Sequence, residues 1–228
     1  VTAALRIRGS IASEYKIKSR AAQEANTADR QTHNATRTRP PSLQVEDGSR
    51  DGRAMVRENV VTPSDFIWPV FVREGKGIEE PVPSMPGVMR RTVDLIGAAA
   101  KEAYDLGIPA ICVFPYTSME ARTEDCAMAW DPDNVANRAI RAIKDAVPEI
   151  AVMTDIALDP YNINGHDGFV EGGEIVNDRS VEALVKQTLS QAEAGADIIG
   201  PSDMMDGRIG AMRRALEEAG HQNVIILS

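Results

Sequence analysis

Cysteine and aromatic residues are scarce in this chain. Of its 228 residues, two are cysteines, Cys112 and Cys126, and 4% are aromatic. Two cysteines cannot build a disulfide framework, so a reducing, cytosolic setting is expected, and Cys112 lies in an apolar run typical of a core. The shortage of aromatic rings disfavours base stacking. The net charge of −9 disfavours nucleic-acid binding, because phosphate backbones need clustered Lys and Arg.

Long apolar runs and targeting signals are lacking as well. The longest apolar stretches fall well short of the roughly 20 residues that cross a bilayer. Nothing at the N-terminus resembles the apolar region of a secretory signal. No membrane partner is therefore expected, while a hydrophobic content of 43% suffices for a sizeable core.

Residues 1–52 differ in composition from the rest of the chain. Between positions 1 and 42 there are eight Lys/Arg and three Asp/Glu, a balance opposite in sign to that of the whole. With little apolar periodicity, this stretch is predicted to be a disordered or extended arm. The alternatives are an assembly arm that wraps a neighbouring subunit, or part of an organelle transit segment. Because the first residue is Val1 rather than Met, the N-terminus is expected to be incomplete.

From residue 53 to residue 228, short apolar runs alternate with amphipathic stretches of helical period. Strands are predicted at 66–72, 110–114, 150–154, 197–199 and 224–227, and helices at 94–106, 133–146, 179–194 and 208–219. Pro69 would demote the first strand to an edge or irregular strand, and Pro115 is expected to end the second.

This alternation predicts an α/β fold with a parallel sheet covered on both faces, because the strands are continuous apolar runs. Two architectures fit, an open doubly wound sheet and a (β/α)8 barrel. The first strand–helix junction has no glycine fingerprint for a dinucleotide. Five units are visible, so a barrel would require about three more than the chain contains.

An acidic stretch after the third strand is the strongest candidate for chemistry. In parallel α/β folds the site lies at the carboxyl ends of the strands, and Asp155 follows the apolar run there. Walled in by apolar neighbours, Asp155 could hold a raised pKa and move protons; alternatively it could stay charged and orient an amine. Ser202 and Asp203 follow the next strand, where they either face the same rim or merely cap the helix behind them.

Two further carboxylates, Asp159 and Asp167, lie on the loop beyond Asp155. Oxygen ligands of this type suit Mg²⁺ rather than Zn²⁺, but two Asp eight positions apart are only a moderate metal signal. His166 lies between these two carboxylates in the sequence, and a lone histidine of this kind is expected to be a satisfied loop residue rather than a ligand.

At these positions the sequence closely resembles the porphobilinogen synthase (5-aminolevulinate dehydratase) family, from about residue 53 to the end. The most specific match is PSDMMDGR at 201–208, and the others are RE at 57–58, PVFV at 69–72, PSMPGV at 83–88, LGIPA at 106–110, TDIALDPY at 154–161 and GHDG at 165–168. The resemblance implies a (β/α)8 barrel that condenses two 5-aminolevulinate molecules to porphobilinogen with loss of two waters, in tetrapyrrole and heme biosynthesis. It also implies a homo-oligomer, typically an octamer, in which N-terminal arms embrace neighbours.

The resemblance further implies roles for single residues. Asp155 matches the active-site aspartate, and Ser202 and Asp203 match rim residues of the same pocket. Cysteines of the zinc-dependent branch are replaced here by Ala157, Asp159 and Asp167, which implies the non-zinc, often Mg²⁺-stimulated branch.

The family's two Schiff-base lysines would lie beyond Ser228, so the chain alone is expected to be inactive. The lysines within the matched region, Lys101, Lys144 and Lys186, fall on helices and are predicted to be solvated. The alternative is a truncated, inactive relative that serves as an assembly or regulatory subunit, and a weaker one is a Mg²⁺-dependent lyase or aldolase on the same barrel. A bacterial cytoplasm is the expected location, with a plastid as the alternative.

Overall fold

A computed structural model of the chain describes residues 54–228, so the arm predicted at 1–52 lies outside the described residues. The strands are β1 Ile67–Arg73, β2 Glu79–Pro81, β3 Met89–Thr92, β4 Ala110–Tyr116, β5 Ala151–Ile156, β6 Phe169–Glu171, β7 Glu174–Val176, β8 Ile198–Pro201 and β9 Ile225–Ile226. The α-helices from residue 93 onwards are α1 Val93–Asp105, α2 Val135–Ala146, α3 Asn177–Glu193 and α4 Arg208–Glu218. None of the helices in the described part is long and apolar enough to cross a membrane.

The main sheet has the strand order β2-β3-β1-β4-β5-β8-β9. All of its pairs are parallel except β2 with β3. The connections that contain a helix run from β3 to β4, β4 to β5, β5 to β8 and β8 to β9, and all four advance in one direction across the sheet without a reversal. Only the helix-free connection from β1 through β2 to β3 runs the other way. A doubly wound sheet contains a reversal among its helical connections, whereas a barrel does not, and the winding therefore agrees with the predicted barrel.

The helices cover one face of this sheet. Right-handed crossovers that always advance in the same direction place every helix on the same side. The burial of side chains agrees with this arrangement. In β5, Val152, Thr154 and Ile156 point toward the helices and are fully buried, while their neighbours on the other face are half-buried. The expectation of cover on both faces is thus wrong for the described residues: the second face, here called the open face, carries Phe71, Phe114, Met153, Asp155 and Ile225.

Two predictions about prolines in strands are wrong, since Pro69 does not place its strand at an edge and Pro115 does not end its strand. β1 is an interior strand, but its pairing with β3 begins only at Phe71, so Pro69 borders β4 alone and interrupts no ladder on the other side. Likewise β4 continues through Pro115 to Tyr116, because its pairing with β5 ends at Val113. In both strands the missing N–H group falls where there is no partner strand to receive it.

The core lies between the helices and the covered face of the sheet. Its fully buried members include Ile111, Ile140, Ile156, Leu184 and Ile199. Cys126 belongs to this core, whereas Cys112 is buried on the open face beside Met153, and neither cysteine is in a disulfide. Burial of Cys112, expected from its apolar run, raises the pKa of its thiol to about 12. Helix α2 begins after Asn134, whose side-chain oxygen accepts a hydrogen bond from the Asn137 amide at 2.8 Å.

Candidate active site

Asp155 is the penultimate residue of β5 rather than the first residue after it. The strand was predicted to end at 154 but continues to Ile156, where its last two residues pair with Gly200 and Pro201 of β8. The carboxylate therefore stands on the open face, near the carboxyl ends of the parallel strands. That is the edge at which parallel α/β folds place their chemistry.

Ser202 contacts Asp155 directly. Its hydroxyl donates a hydrogen bond to the Asp155 carboxylate, with 2.6 Å between the Ser202 Oγ and Asp155 Oδ1 atoms. The two residues come together because Ser202 follows β8 immediately, while Asp155 lies beside that strand in the sheet. The predicted meeting of these two side chains at one rim is thus seen in the structure.

The pKa of Asp155 is raised to about 6, chiefly because burial penalises its charged form. The charges of Asp159, Asp167 and Asp203 raise it further, and the hydrogen bond from Ser202 opposes the rise. A carboxyl group with this pKa can exchange a proton at physiological pH, which an ordinary aspartate cannot do efficiently.

Asp203 stands on the same rim but is directed elsewhere. Its side chain is fully buried, where one oxygen accepts from the Met205 amide at 2.8 Å and the other lies 2.9 Å from the Arg208 guanidinium. Burial still raises the pKa of Asp203 despite these partners. The capping interpretation is wrong for Ser202 and Asp203, because α4 begins at Arg208 after Gly207, whose φ of 79° favours glycine.

Asp159 and Asp167 lie close enough to influence each other. Burial raises the pKa of Asp159, and the charge of Asp167 adds to the rise, while Arg122 lowers it. Arg122 also donates to the backbone carbonyl of Asp159 at 2.9 Å. Two carboxylates in an under-neutralised cluster fit Mg²⁺, which takes one or two carboxylates and keeps several waters. Within residues 54–228, however, no three His, Cys, Asp or Glu side chains converge as a metal site.

His166 belongs to the architecture of the loop between Asp159 and β6. Its Nδ1 atom accepts a hydrogen bond from the Gly168 amide at 3.1 Å. The buried Asn162 amide donates to the backbone carbonyls of His166 and Gly168. These bonds support the prediction of an ordinary loop histidine and hold Asp167 within reach of Asp159.

Three residues of the site escaped sequence reasoning. Arg122 stands alone in a polar loop, and Arg208 looks like the first residue of a helix, so neither forms a recognisable pattern with its acid. Gly200 lies beside Asp155 in the sheet, and a Cβ atom there would come within 2.4 Å of the Met153 methyl group. This close approach depends on sheet register, which the sequence does not display.

The described lysines lie away from Asp155. Lys101 pairs with Asp105 on the surface, and the Lys186 ammonium lies 5.2 Å from the centre of the Trp130 ring. Lys144 was predicted to be solvated, which is wrong. Its ammonium binds Asp197, just before β8, at 3.0 Å and the backbone carbonyls of Pro148 and Ile150, just before β5.

Comparison with known proteins identifies the family. The model of the family described as delta-aminolevulinic acid dehydratase matches residues 42–228. The chain belongs to the delta-aminolevulinic acid dehydratase family. The curated delta-aminolevulinic acid dehydratase of Rhodobacter capsulatus is 54% identical over 176 residues, which cover 77% of this chain and 53% of the relative. The chloroplastic one of Chlamydomonas reinhardtii is 44% identical over 186 residues, which cover 79% of this chain and 47% of the relative.

A solved structure of the same family confirms the fold class. The porphobilinogen synthase of Toxoplasma gondii ME49, crystallised with the reaction product porphobilinogen, superimposes with a TM-score of 0.77 at 39% identity. The match covers 85% of this chain and 54% of that chain. The chain thus has the predicted (β/α)8-barrel class, with the parallel strands β1, β4, β5, β8 and β9 alternating with the four helices α1–α4. It spans about half the length of the relatives it matches.

Proposed function

We propose that the full-length protein is a porphobilinogen synthase, a hydro-lyase that condenses two 5-aminolevulinate molecules into porphobilinogen with loss of two waters. The observation that carries this proposal is the hydrogen-bonded pair of Asp155 and Ser202 on the open face, with an Asp155 pKa near neutrality. Membership of the delta-aminolevulinic acid dehydratase family supplies the reaction.

In this proposal Asp155 is the catalytic residue that moves protons during the condensation. Loss of water and closure of a ring both require protons to leave carbon or nitrogen and reach oxygen. A carboxylate with a pKa of about 6 is mostly ionised at neutral pH, so it accepts such a proton and returns it readily. The alternative role, a fixed charge that orients the substrate amine, uses the same position on the open face.

Ser202 and Asp203 then differ in role. Ser202 faces the same space as Asp155, so it can contact substrate and also limits how far the Asp155 pKa rises. Asp203 is a positioning residue in this scheme, because its carboxylate is committed to Arg208 and to the Met205 amide. It fixes the chain segment that follows β8 and adds negative charge next to Asp155.

Schiff-base chemistry on two lysines is the family mechanism that the resemblance implies. A nucleophilic lysine must reach the substrate ketone with its amine unprotonated. The four lysines between residues 54 and 228 are Lys76, Lys101, Lys144 and Lys186. The latter three have the contacts described above, and Lys76 is exposed on the β1–β2 connection. We therefore assign both nucleophiles to positions beyond Ser228, as the family resemblance implies, and the chain alone is proposed to be inactive.

For the metal we propose Mg²⁺, held through Asp159 and Asp167, and no catalytic zinc. The family's zinc cysteines are replaced by Ala157, Asp159 and Asp167, so thiolate ligands are lacking on this loop. When bound, Mg²⁺ supplies positive charge that offsets the repulsion between these carboxylates.

The proposal also includes an oligomeric state and a cellular location for the full-length protein. A homo-oligomer, with an octamer as the preferred form, follows from the family resemblance. A cytoplasmic location is proposed because the relative from Rhodobacter capsulatus is bacterial, with a plastid as the alternative because the relative from Chlamydomonas reinhardtii is named chloroplastic.

Borohydride trapping of the full-length protein tests the proposed reaction. An imine between a lysine and 5-aminolevulinate would be reduced to a stable adduct that mass spectrometry detects and peptide mapping locates. We expect substrate-dependent adducts on lysines beyond Ser228. A full-length protein that forms no adduct would instead support the assembly or regulatory subunit.

A further inference from the structure

Met153 lies across Gly200 on the open face, next to Asp155. A Cβ atom on Gly200 would overlap the Met153 Cε atom and lie 3.9 Å from Met153 Cγ, so this side chain extends from β5 to β8. Gly200 is buried, although it lies on the open face. Its φ is not positive, so the backbone there does not require glycine. The lack of a side chain at position 200 is therefore explained by the space that Met153 occupies.

The Met153 side chain lies one layer deeper than the Asp155 carboxyl group. The two residues are two positions apart in β5, so they share the open face, and Met153 is roughly 7 Å nearer the amino-terminal end of the strand. In a (β/α)8 barrel, the interior side chains are stacked in layers beneath the carboxyl ends of the strands, where the active site lies. Met153 is thus in the layer directly beneath the one that holds Asp155.

The layer that contains Met153 is uncharged from β1 to β9. Strand register places five residues in it, and it is here called the floor layer. These residues are Pro69, Cys112, Met153, Ile198 and Ile225. Burial raises the pKa of Cys112 to about 12, so its thiol is uncharged at neutral pH. Within the described residues, the floor layer therefore gives the Asp155 carboxylate no charged partner.

Several titratable groups face Asp155 from the elements packed around it. They are Cys112 on β4, Asp159, Tyr161 and Asp167 on the loop after β5, and Asp203 after β8. Burial is the largest cause of the raised pKa of Asp155, and the three carboxylates add to it. Met153 contributes to that burial from beneath, because an apolar side chain there excludes the water that would stabilise the charged form.

We propose that Met153 is a positioning residue for the proposed reaction: lying across Gly200, it closes the floor layer beneath Asp155 and keeps water away from that carboxyl group. The inference rests on the proposed function for the role of Asp155 in the reaction, whereas the effect of Met153 on Asp155 needs no substrate. Met153→Ala removes the covering side chain. Gly200→Ala displaces it, because the added Cβ atom would overlap Met153 Cε while it lies only 3.1 Å from the Thr154 carbonyl oxygen.

Carbon NMR of the full-length protein, with labelled aspartate carboxyl groups, tests this proposal without substrate. The Asp155 signal is assigned by its loss in Asp155→Asn. Met153→Ala should lower the pKa of Asp155 by at least about one pH unit from its value of about 6, because water then stabilises the charged form. The acid limb of kcat/KM should move to lower pH with it. Met153→Leu, which keeps the apolar volume, should retain the pKa of the unmodified protein, as should Met119→Ala at an exposed position.

Gly200→Ala supplies an independent variant. Its control is Gly210→Ala in α4, where a Cβ atom would meet only the Arg214 guanidinium, at 3.4 Å, apart from the helix's own backbone. Gly200→Ala should lower the pKa of Asp155 in the same direction as Met153→Ala. The double variant should show no larger change than Met153→Ala alone, because both substitutions act through one side chain.

The proposal is overturned if Met153→Ala leaves the pKa of Asp155 unchanged, or if the changes of the two single variants add in the double variant. Should Met153→Ala fail to fold, an unchanged pKa in Gly200→Ala overturns it instead. A lowered pKa in a protein that forms no borohydride adduct would support the role of Met153 and contradict only the proposed reaction.

Discussion

The Asp155 carboxyl group is subject to two opposing influences. Burial and the neighbouring acids push its pKa up to about 6, while the Ser202 hydroxyl, 2.6 Å away, stabilises the ionised form. The balance keeps the pKa of Asp155 near the pH at which a proton acceptor is most useful. Ser202 is thus expected to tune the acid as well as to contact substrate.

Replacing Ser202 with Ala should move the acid side of the pH profile. Without the donated hydrogen bond, the pKa of Asp155 rises above its present value of about 6. Below that pKa the proton acceptor is protonated, so kcat/KM of the full-length enzyme should begin to fall at a higher pH. Ser84→Ala, at an exposed position, is the control. An acid limb that stays in place in Ser202→Ala would show that Asp155 is not the group that titrates.

The sequence could locate the acids of this site but not their partners. Asp155, Ser202 and Asp203 were predictable because each follows an apolar run and the ends of parallel strands meet at one rim. The pairings of Asp155 with Ser202 and of Asp203 with Arg208 depend on side-chain direction at the end of β8. A capping preference and a functional role leave the same residue types at these positions, so only coordinates separate them.

At the scale of elements, α2 is fastened to the amino-terminal side of the sheet by Lys144. One Asp197 oxygen accepts from both the Lys144 ammonium at 3.0 Å and the Val152 amide at 2.8 Å. Lys144 also binds the carbonyls of Pro148 and Ile150. This contact joins α2, β5 and the start of β8 on the side of the sheet away from Asp155, where it serves stability rather than chemistry.

Asp197→Ala should lower the free energy of unfolding by about 1–3 kcal/mol, because it removes two hydrogen bonds and leaves the Val152 amide without its acceptor. Asp105→Ala is matched to it, since Asp105 pairs with Lys101 at the same 3.0 Å but on an exposed helix surface. That control should cost less than about 0.5 kcal/mol. Urea unfolding compares the two variants, and equal midpoints would contradict the proposed stabilising role of Asp197.

Elements with a regular spacing of apolar residues were predictable from the sequence, and elements without such a spacing were not. Each of α1–α4 begins and ends within two residues of its predicted bounds, because an apolar stripe marks each helix and a glycine follows α1, α3 and α4. The short strands β2 and β3 were missed because charged residues dominate them, and their arginines pair across the strands with Glu79 and Glu80. The β6–β7 hairpin was missed as well, since its sequence of Gly and Glu reads as a loop.

For the whole molecule, the open face is the feature that most needs explanation. Ile67, Ile225 and Leu227 are 40%, 56% and 49% exposed on or beside it. In a (β/α)8 barrel the corresponding positions face the packed interior. This agrees with a chain that spans about half the length of its family relatives. The sequential winding of the sheet could be anticipated from the regular alternation of strand and helix, whereas cover on one face could not.

Zinc removal provides a test of the metal assignment for the whole enzyme. Because Ala157, Asp159 and Asp167 replace the cysteines of the zinc-dependent branch, a zinc-selective chelator should leave porphobilinogen formation unchanged. If chelation of all divalent metals lowers the activity, addition of Mg²⁺ should restore it. A loss that only Zn²⁺ reverses would contradict the assignment.

Asp155 serves the reaction at a cost in folding stability. Its pKa is raised from 3.8 to about 6 in the folded protein, so the fold binds this proton more tightly than the unfolded chain. The associated stability is present below the unfolded pKa and is lost as pH rises through about 6. At neutral pH the ionised group therefore disfavours the folded state, by roughly 1–3 kcal/mol.

The most direct measurement is the turnover of 5-aminolevulinate by full-length Asp155→Asn, together with its unfolding free energy at pH 7 and at pH 4. We predict that porphobilinogen formation falls at least about a hundredfold, because the proton acceptor is gone. Stability at pH 7 should equal or exceed that of the unmodified protein, and the difference should shrink at pH 4. Turnover close to that of the unmodified enzyme would contradict the assignment of Asp155, and so would a loss of turnover that merely follows unfolding.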